Sequence, residues 1–181
     1  MGKLYFYYGT MSAGKTSLAI NKAFEFKERG KDVFVHVPEI CWKSCLESRN
    51  GSSIPTSRNL IKEHDFNIVR ENSFLIVDEC QFLTPSVVLE IKKATVHKNV
   101  MAFCFGLLTD FMRNIFDGSR ALVETADTIR EVPCMCEECD NKAQYNYRIT
   151  DETKTVVLSK EKYKSLCASC YEKFSTKVQQ L

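Results

Sequence analysis

Residues 9–16 read Gly9-Thr10-Met11-Ser12-Ala13-Gly14-Lys15-Thr16. The string fits G-x-x-x-x-G-K-S/T, the spacing of a phosphate cradle between a strand and a helix. Gly9 and Gly14 permit turns that aim successive backbone N–H groups inward. The N-terminus of the following helix adds partial positive charge. Lys15 is placed to neutralise the outer phosphates of a nucleoside triphosphate, and the Thr16 hydroxyl is a ligand for Mg²⁺. Further along, Asp78 and Glu79 follow the apolar run Phe74–Val77. A carboxylate at such a strand end is the second anchor for hydrated Mg²⁺. Glu79 is a candidate general base, which needs only to reach the proton it removes. Alone, the first string could be a glycine turn and the second a solvated loop start. Their joint presence, each after an apolar run, points to nucleotide chemistry.

The chain has nine cysteines. An odd count without a secretion signal argues against a disulfide framework. Cys136 and Cys139, then Cys167 and Cys170, form two C-x-x-C pairs spaced like the knuckles of a zinc ribbon. Four thiolates satisfy Zn²⁺ tetrahedrally and leave no open position, which makes such a site structural. The tail has too few apolar residues for a core, and a metal contributes about 10–16 kcal/mol of apparent binding energy towards folding such a segment. Cys134 lies two residues before Cys136 and competes with it as ligand, although the C-x-x-C spacing favours Cys136. Free thiols or a redox pair are the other reading. Cys80 and Cys104, in apolar runs, read as small buried hydrophobes. Cys41 and Cys45, around Trp42, read as packing.

These residues need elements to position them. Leu4–Tyr8 reads as a buried strand, 15–29 as a helix stopped by Gly30, and Val33–Val37 as a second strand closed by Pro38. Most of 39–65 is rich in Ser, Asn, Gly and Pro and reads as surface loop. Phe74–Val77 is a strand. Thr84 caps a helix with Pro85 at its first position, running to about His97. Val100–Phe105 is a strand ending at Gly106. An irregular aromatic stretch, 107–117, precedes a short helix near 118–125 and a strand near 128–132. This alternation predicts an α/β fold, a parallel sheet with helices on both faces. Ligands then bind beyond the strands' carboxyl ends, at 9–16, 78–82 and 106–116. The domain boundary is expected near the start of the cysteine region, giving a nucleotide-binding α/β domain over 1–132 and a metal-binding subdomain over 133–181.

Composition narrows the classes further. The length fits one domain with a small appendage. With 25 basic and 23 acidic residues the formal charge is +2, so no global field draws the chain to nucleic acid or a membrane surface. No apolar run reaches the ~18 residues of a spanning helix. The opening residues lack the pattern of a signal peptide. A cytoplasmic protein without membrane partners is expected.

The ordered set of motifs resembles the type II thymidine kinases, zinc-containing deoxynucleoside kinases. It comprises the 9–16 cradle; Asp78-Glu79-Cys80-Gln81-Phe82; Gly106-Leu107-Leu108-Thr109-Asp110-Phe111 followed by Phe116; the Cys136/Cys139 knuckle; Lys162-Tyr163; and Cys170-Tyr171. Arg49 and Ser57-Arg58 are similar to the family's segment after the second strand. The resemblance implies a P-loop, RecA-like sheet and a zinc-ribbon-like subdomain bearing a lasso loop. It implies transfer of the γ-phosphate of ATP to the 5′-hydroxyl of thymidine, and of deoxyuridine, in nucleotide salvage. Glu79 would take the hydroxyl proton, and Asp78 and Thr16 would hold Mg²⁺ with Gln81 near the metal or phosphates. Met11, Phe82, Leu107, Phe111 and Phe116 would wall the base pocket, Tyr163 would pack on the nucleoside, and Val156, Val157 and Leu158 would form the lasso. Arg58 would close on phosphates or substrate. A homotetramer and feedback inhibition by dTTP are family expectations too. Core packing remains the other reading of Phe82 and Phe116.

Three positions depart from the family pattern. Ser159-Lys160 follows the lasso residues where Gly-Gly is common, Asn146 stands where Thr is usual near the base, and Cys80 replaces a common Gly. Two rival readings remain. Asp78-Glu79-Cys80-Gln81 is similar to the second motif of nucleic-acid ATPases, but no second motor domain and no basic stripe interleaved with aromatics accompanies it. A non-catalytic zinc-binding module would not need Lys15, Thr16, Asp78 and Glu79 together.

Overall fold

Alternating side chains along three strands decide the layering. A computed structural model describes residues 1–41, 43–57, 69–149 and 163–178. Its strands are β1 (Lys3–Tyr8), β2 (Val33–His36), β3 (Cys45–Glu47), β4 (Ser53–Pro55), β5 (Phe74–Val77), β6 (Met101–Gly106), β7 (Thr128–Glu131), β8 (Tyr145–Arg148) and β9 (Tyr163–Leu166). Its helices are α1 (Lys15–Glu28), α2 (Pro85–His97), α3 (Asp117–Thr125) and α4 (Ala168–Val178). The main sheet has the order β2-β5-β6-β1-β7, and every neighbouring pair is parallel.

Leu4 and Phe6 of β1, Leu75 and Val77 of β5, and Ala102 and Cys104 of β6 share one face, covered by α2 and α3 through Val88, Ile91 and Leu122. Their neighbours Tyr7, Ile76, Phe103 and Phe105 turn to the opposite face, covered by α1 through Ala19, Ile20 and Ala23. Each such aliphatic or aromatic side chain contributes roughly 1.5–3 kcal/mol on burial. Aromatic pairs reinforce the β1–β6 pairing: Tyr5 stacks on Phe103 at 4.8 Å and Tyr7 on Phe105 at 5.0 Å. Helix α2 starts as expected, with Thr84 Oγ1 accepting from the Val87 N–H at 3.4 Å and Pro85 in the first turn. Cys80 and Cys104 are fully buried, as small hydrophobes would be.

The 43–57 stretch differs from the loop expected of it. Within it β3 and β4 pair antiparallel around a turn closed by Ser48 N–H to Ser52 O. Leu46 and Ile54, placed opposite each other, are buried and extend the α1-side core. The polar residues that read as loop lie in the turn and on the outward positions of this hairpin.

After β7 the chain forms a smaller layer in which β8 pairs antiparallel with β9 and α4 packs against β8. Leu166, Tyr147, Tyr171 and Phe174 gather there around Cys136, Cys139, Cys167 and Cys170. Among the described residues no helix is long and apolar enough to cross a membrane.

His36, at the end of β2, is buried, and burial pulls its pKa down to about 4. The unfolded chain takes up this proton near pH 6.5 and the folded chain only near pH 4, so stability falls as pH drops through that window. Urea unfolding at pH 7 and pH 4.5 should show a loss that His36→Gln reduces by up to about 3 kcal/mol. An identical pH slope in both proteins would contradict it.

Candidate functional site

The cradle begins where β1 ends. Ala13 N–H donates to Thr10 O at 3.2 Å, and Gly14 takes φ 76°, a left-handed turn that glycine adopts without strain, just before α1 starts at Lys15. The first N–H groups of α1 therefore open onto the loop. Lys15 lies back across it, buried, its Nζ donating to Gly9 O at 3.1 Å and Thr10 O at 2.7 Å. The cation is thus held within the turn rather than extended into solvent.

Parallel pairing brings the end of β5 to the same edge. Thr16 Oγ1 donates to Asp78 Oδ2 at 2.8 Å, and Asp78 is 2% exposed. Burial, and secondarily the charge of Glu79, raises the pKa of Asp78, opposed by the Thr16 hydrogen bond and by Lys15. Two hard oxygen donors, one a carboxylate that burial penalises as an anion, fit a hard divalent cation. Glu79 follows with φ 53° and opens a tight turn, Phe82 N–H donating to Glu79 O at 3.1 Å. Gln81 Nε2 donates to Glu79 Oε2 at 2.7 Å, while Gln81 Oε1 accepts from Leu107 N–H at 3.0 Å. Gly106 makes this possible, because a Cβ there would lie 2.5 Å from Gln81 Oε1.

Two hollows adjoin at this edge. The larger is lined by Met11, Phe82, Leu107, Phe111, Phe116, Asn146 and Tyr163, together with Asp78, Glu79 and Gln81. The smaller is lined by Ser12, Gly14, Lys15, Ser17 and Arg49. Both include Met11, Thr16, Glu79 and Leu107. The sequence-derived residues of cradle, carboxylate pair and aromatic wall therefore converge. Phe82 and Phe116 meet edge to face at 5.7 Å, so they pack on each other and line the hollow at once. Arg58, Val156, Val157 and Leu158 lie outside the described residues, as do Trp42 and the Ser159-Lys160 departure.

The smaller C-terminal layer contributes directly. Asn146 Oδ1 accepts from Met11 N–H at 2.9 Å, and Ser165 Oγ accepts from Ser12 N–H at 3.4 Å. Glu137 Oε1 in turn accepts from Ser165 N–H at 2.9 Å. Tyr171 donates its hydroxyl to Phe111 O at 2.9 Å. Arg148 stacks its guanidinium 3.7 Å from the Phe111 ring and donates to the Tyr163 hydroxyl at 2.8 Å.

Within this layer the Sγ atoms of Cys136, Cys139, Cys167 and Cys170 lie within 4.8 Å of one another. The Cys139–Cys167 and Cys139–Cys170 sulfurs are 3.6 and 3.7 Å apart. Zn–S bonds of about 2.3 Å in a tetrahedron place sulfurs about 3.8 Å apart, so the cluster fits zinc. Cys134 is not in the cluster; its Sγ faces Met135 O at 3.4 Å.

Several lining residues were given no role at the site by the sequence. Cys41 and Cys45, read as packing, and Lys43, Leu46 and Glu47, read as loop, come from the hairpin region, and Asp110 comes from the irregular stretch. Burial, then the charges of Glu79 and Asp78, pushes the Cys41 thiol up to about 12. The Asn50-Gly51 pair between two short β-compatible runs is a hairpin signal that could have placed them. Arg148 carried no signal of its own.

A family model described as thymidine kinase matches residues 2–171. A thymidine kinase from Mesorhizobium japonicum is 33% identical, with 95% of this chain and 92% of the relative covered. Thymidine kinases from Rhodopirellula baltica and Zymomonas mobilis are each 30% identical over 92% of this chain, with 86% and 94% of the relatives covered.

Two outcomes follow from this geometry. Asn146→Leu leaves the Met11 N–H without its acceptor and should lower stability by about 1–3 kcal/mol in urea unfolding; unchanged stability would show the contact to be dispensable. Metal analysis should find one zinc per chain in the Cys134→Ser variant and loss of zinc in Cys136→Ser, and the reverse pattern would reassign the ligand.

Proposed function

The chain belongs to the thymidine kinase family and is an ATP-dependent phosphotransferase, and from that premise we propose that it moves the γ-phosphoryl group of ATP to the 5′-hydroxyl of thymidine, and of deoxyuridine, giving the monophosphate and ADP. The observation that carries this reading is the meeting of the two hollows at Glu79 and Thr16. In this reading the hollow beside the cradle takes the triphosphate and the aromatic-walled one takes the nucleoside, with the Glu79 carboxylate lining both. The proximity that phosphoryl transfer requires is thereby supplied.

Gly9, Thr10, Met11, Ser12, Ala13 and Gly14 cradle the phosphates in this reading, with Lys15 neutralising them. Thr16 and Asp78 would hold Mg²⁺, which when bound screens charge on the phosphate oxygens. Glu79 accepts the proton of the 5′-hydroxyl as that oxygen bonds to the γ-phosphorus and the bond from phosphorus to the bridging oxygen of ADP breaks. A flat pyrimidine suits the slot walled by Phe82, Phe111, Phe116 and Leu107, which Met11, Asn146 and Tyr163 also line. The stacked Arg148, bonded to the Tyr163 hydroxyl, stiffens the wall at Phe111 and Tyr163. Arg58 as a cation on the phosphates, and Val156, Val157 and Leu158 as a lasso over the base, rest on the resemblance alone.

Residues 1–132 are read as the P-loop, RecA-like nucleotide-binding domain and 133–181 as the zinc and lasso subdomain. Cys136, Cys139, Cys167 and Cys170 would hold a structural zinc whose loss unfastens the β8–β9 hairpin from the cradle. A cytoplasmic homotetramer subject to dTTP feedback completes the family-based reading.

Glu79→Gln tests it. The substitution should cut thymidine phosphorylation by roughly 10²–10⁴-fold while the dissociation constant for ATP, read with a fluorescent analogue, changes little. Near-normal turnover would remove Glu79 as the proton acceptor.

A further inference from the structure

Gln81 is 3% exposed, and both ends of its amide are engaged. Oε1 accepts from Leu107 N–H at the end of β6, and Nε2 donates to Glu79 Oε2. A planar amide fixed at both ends cannot rotate. A glutamate has three side-chain torsions and, unanchored, spreads over several rotamers. Here one carboxylate oxygen is anchored, which leaves Oε1 of Glu79 as the oxygen available to a proton. The surroundings are built for this seat. Glu79 adopts a left-handed backbone, φ 53°, that a non-glycine residue keeps only when its neighbours impose it. The Gly106 position is bare because a Cβ would collide with Gln81 Oε1 at 2.5 Å and with Cys80 Sγ at 2.7 Å.

We propose that Gln81 is a positioning residue for the transfer step: it transmits the fixed end of β6, through its amide, to the Glu79 carboxylate, and so sets the direction from which the nucleoside hydroxyl is deprotonated. The proposal rests on the reading of Glu79 as proton acceptor. It differs from the family-based expectation that Gln81 serves the metal or the phosphates, and the two roles predict different kinetic constants. A positioning role acts on kcat. A phosphate or metal contact acts on the apparent affinity for ATP.

The test is steady-state phosphorylation of radiolabelled thymidine by the full-length protein carrying its metal, in a cycle of Gln81→Met, Glu79→Gln and the double variant. Gln81→Met should lower kcat by roughly 10–100-fold, the scale of an angstrom-level misplacement, with KM for thymidine and for ATP within about threefold of the parent value. In the Glu79→Gln background the same substitution should have no further effect, because nothing remains to be positioned. If Gln81→Met does not fold, Gln81→Ala reads the same cycle, since it likewise loses the donor to Glu79 and adds no charge beside it. The proposal is overturned by an unchanged kcat, by a rise in the KM for ATP with kcat intact, or by an equal loss in both backgrounds. Full activity of Glu79→Gln alone would instead sink the reading of Glu79 and would be visible separately within the same cycle.

Discussion

The hydrogen bond from Thr16 to Asp78 joins residues 62 positions apart. It exists because β6 lies between β1 and β5 with all three strands parallel. That arrangement puts three carboxyl ends on one edge, with the cradle following β1 and the carboxylate pair following β5. The middle strand must then end in something small. Gly106 is paired with Tyr8 in register, and any side chain there would fill the space taken by Gln81 and Cys80. Sheet order, the missing Cβ and the buried Asp78 are therefore one constraint. Burying a carboxylate is unfavourable, and the Thr16 hydroxyl and Lys15 offset part of the cost.

The cysteine-bound layer extends the same constraint outward. Its hairpin sends Asn146 and Ser165 to the Met11 and Ser12 amides, so the outer half of the cradle is shaped by residues more than 130 positions away. Four convergent thiols lie in the same layer as that hairpin. The cysteine cluster is linked through the hairpin to the loop after β1, and Tyr171 ties the aromatic wall to the same layer through Phe111.

Much of this was legible in the sequence for physical reasons. Strands buried on both faces read as continuous apolar runs, so β1, β5 and β6 stood out, and glycine spacing marked the cradle. Two C-x-x-C pairs specified the sulfur cluster, and only the choice between Cys134 and Cys136 needed coordinates. The β3–β4 hairpin was hidden because its strands are short and carry a single inward side chain each, Leu46 and Ile54. Arg148 and the second bond of Gln81 were hidden for another reason: both act through partners brought together by topology, and no spacing encodes them. Asn146 was visible as a departure near the base, but its bond to Met11 was not. The Val156–Leu158 stretch and Arg58 belong to positions outside the described residues and rest on likeness alone.

The central claim is that one edge of the sheet holds a triphosphate and a nucleoside at the same time, with Glu79 between them. Incubating the purified chain with ATP, Mg²⁺ and each common deoxynucleoside in turn, and separating the products, addresses it directly. The account predicts that thymidine and deoxyuridine acquire a 5′-phosphate in step with ADP formation. Formation of ADP with every pyrimidine nucleoside left unchanged would contradict it.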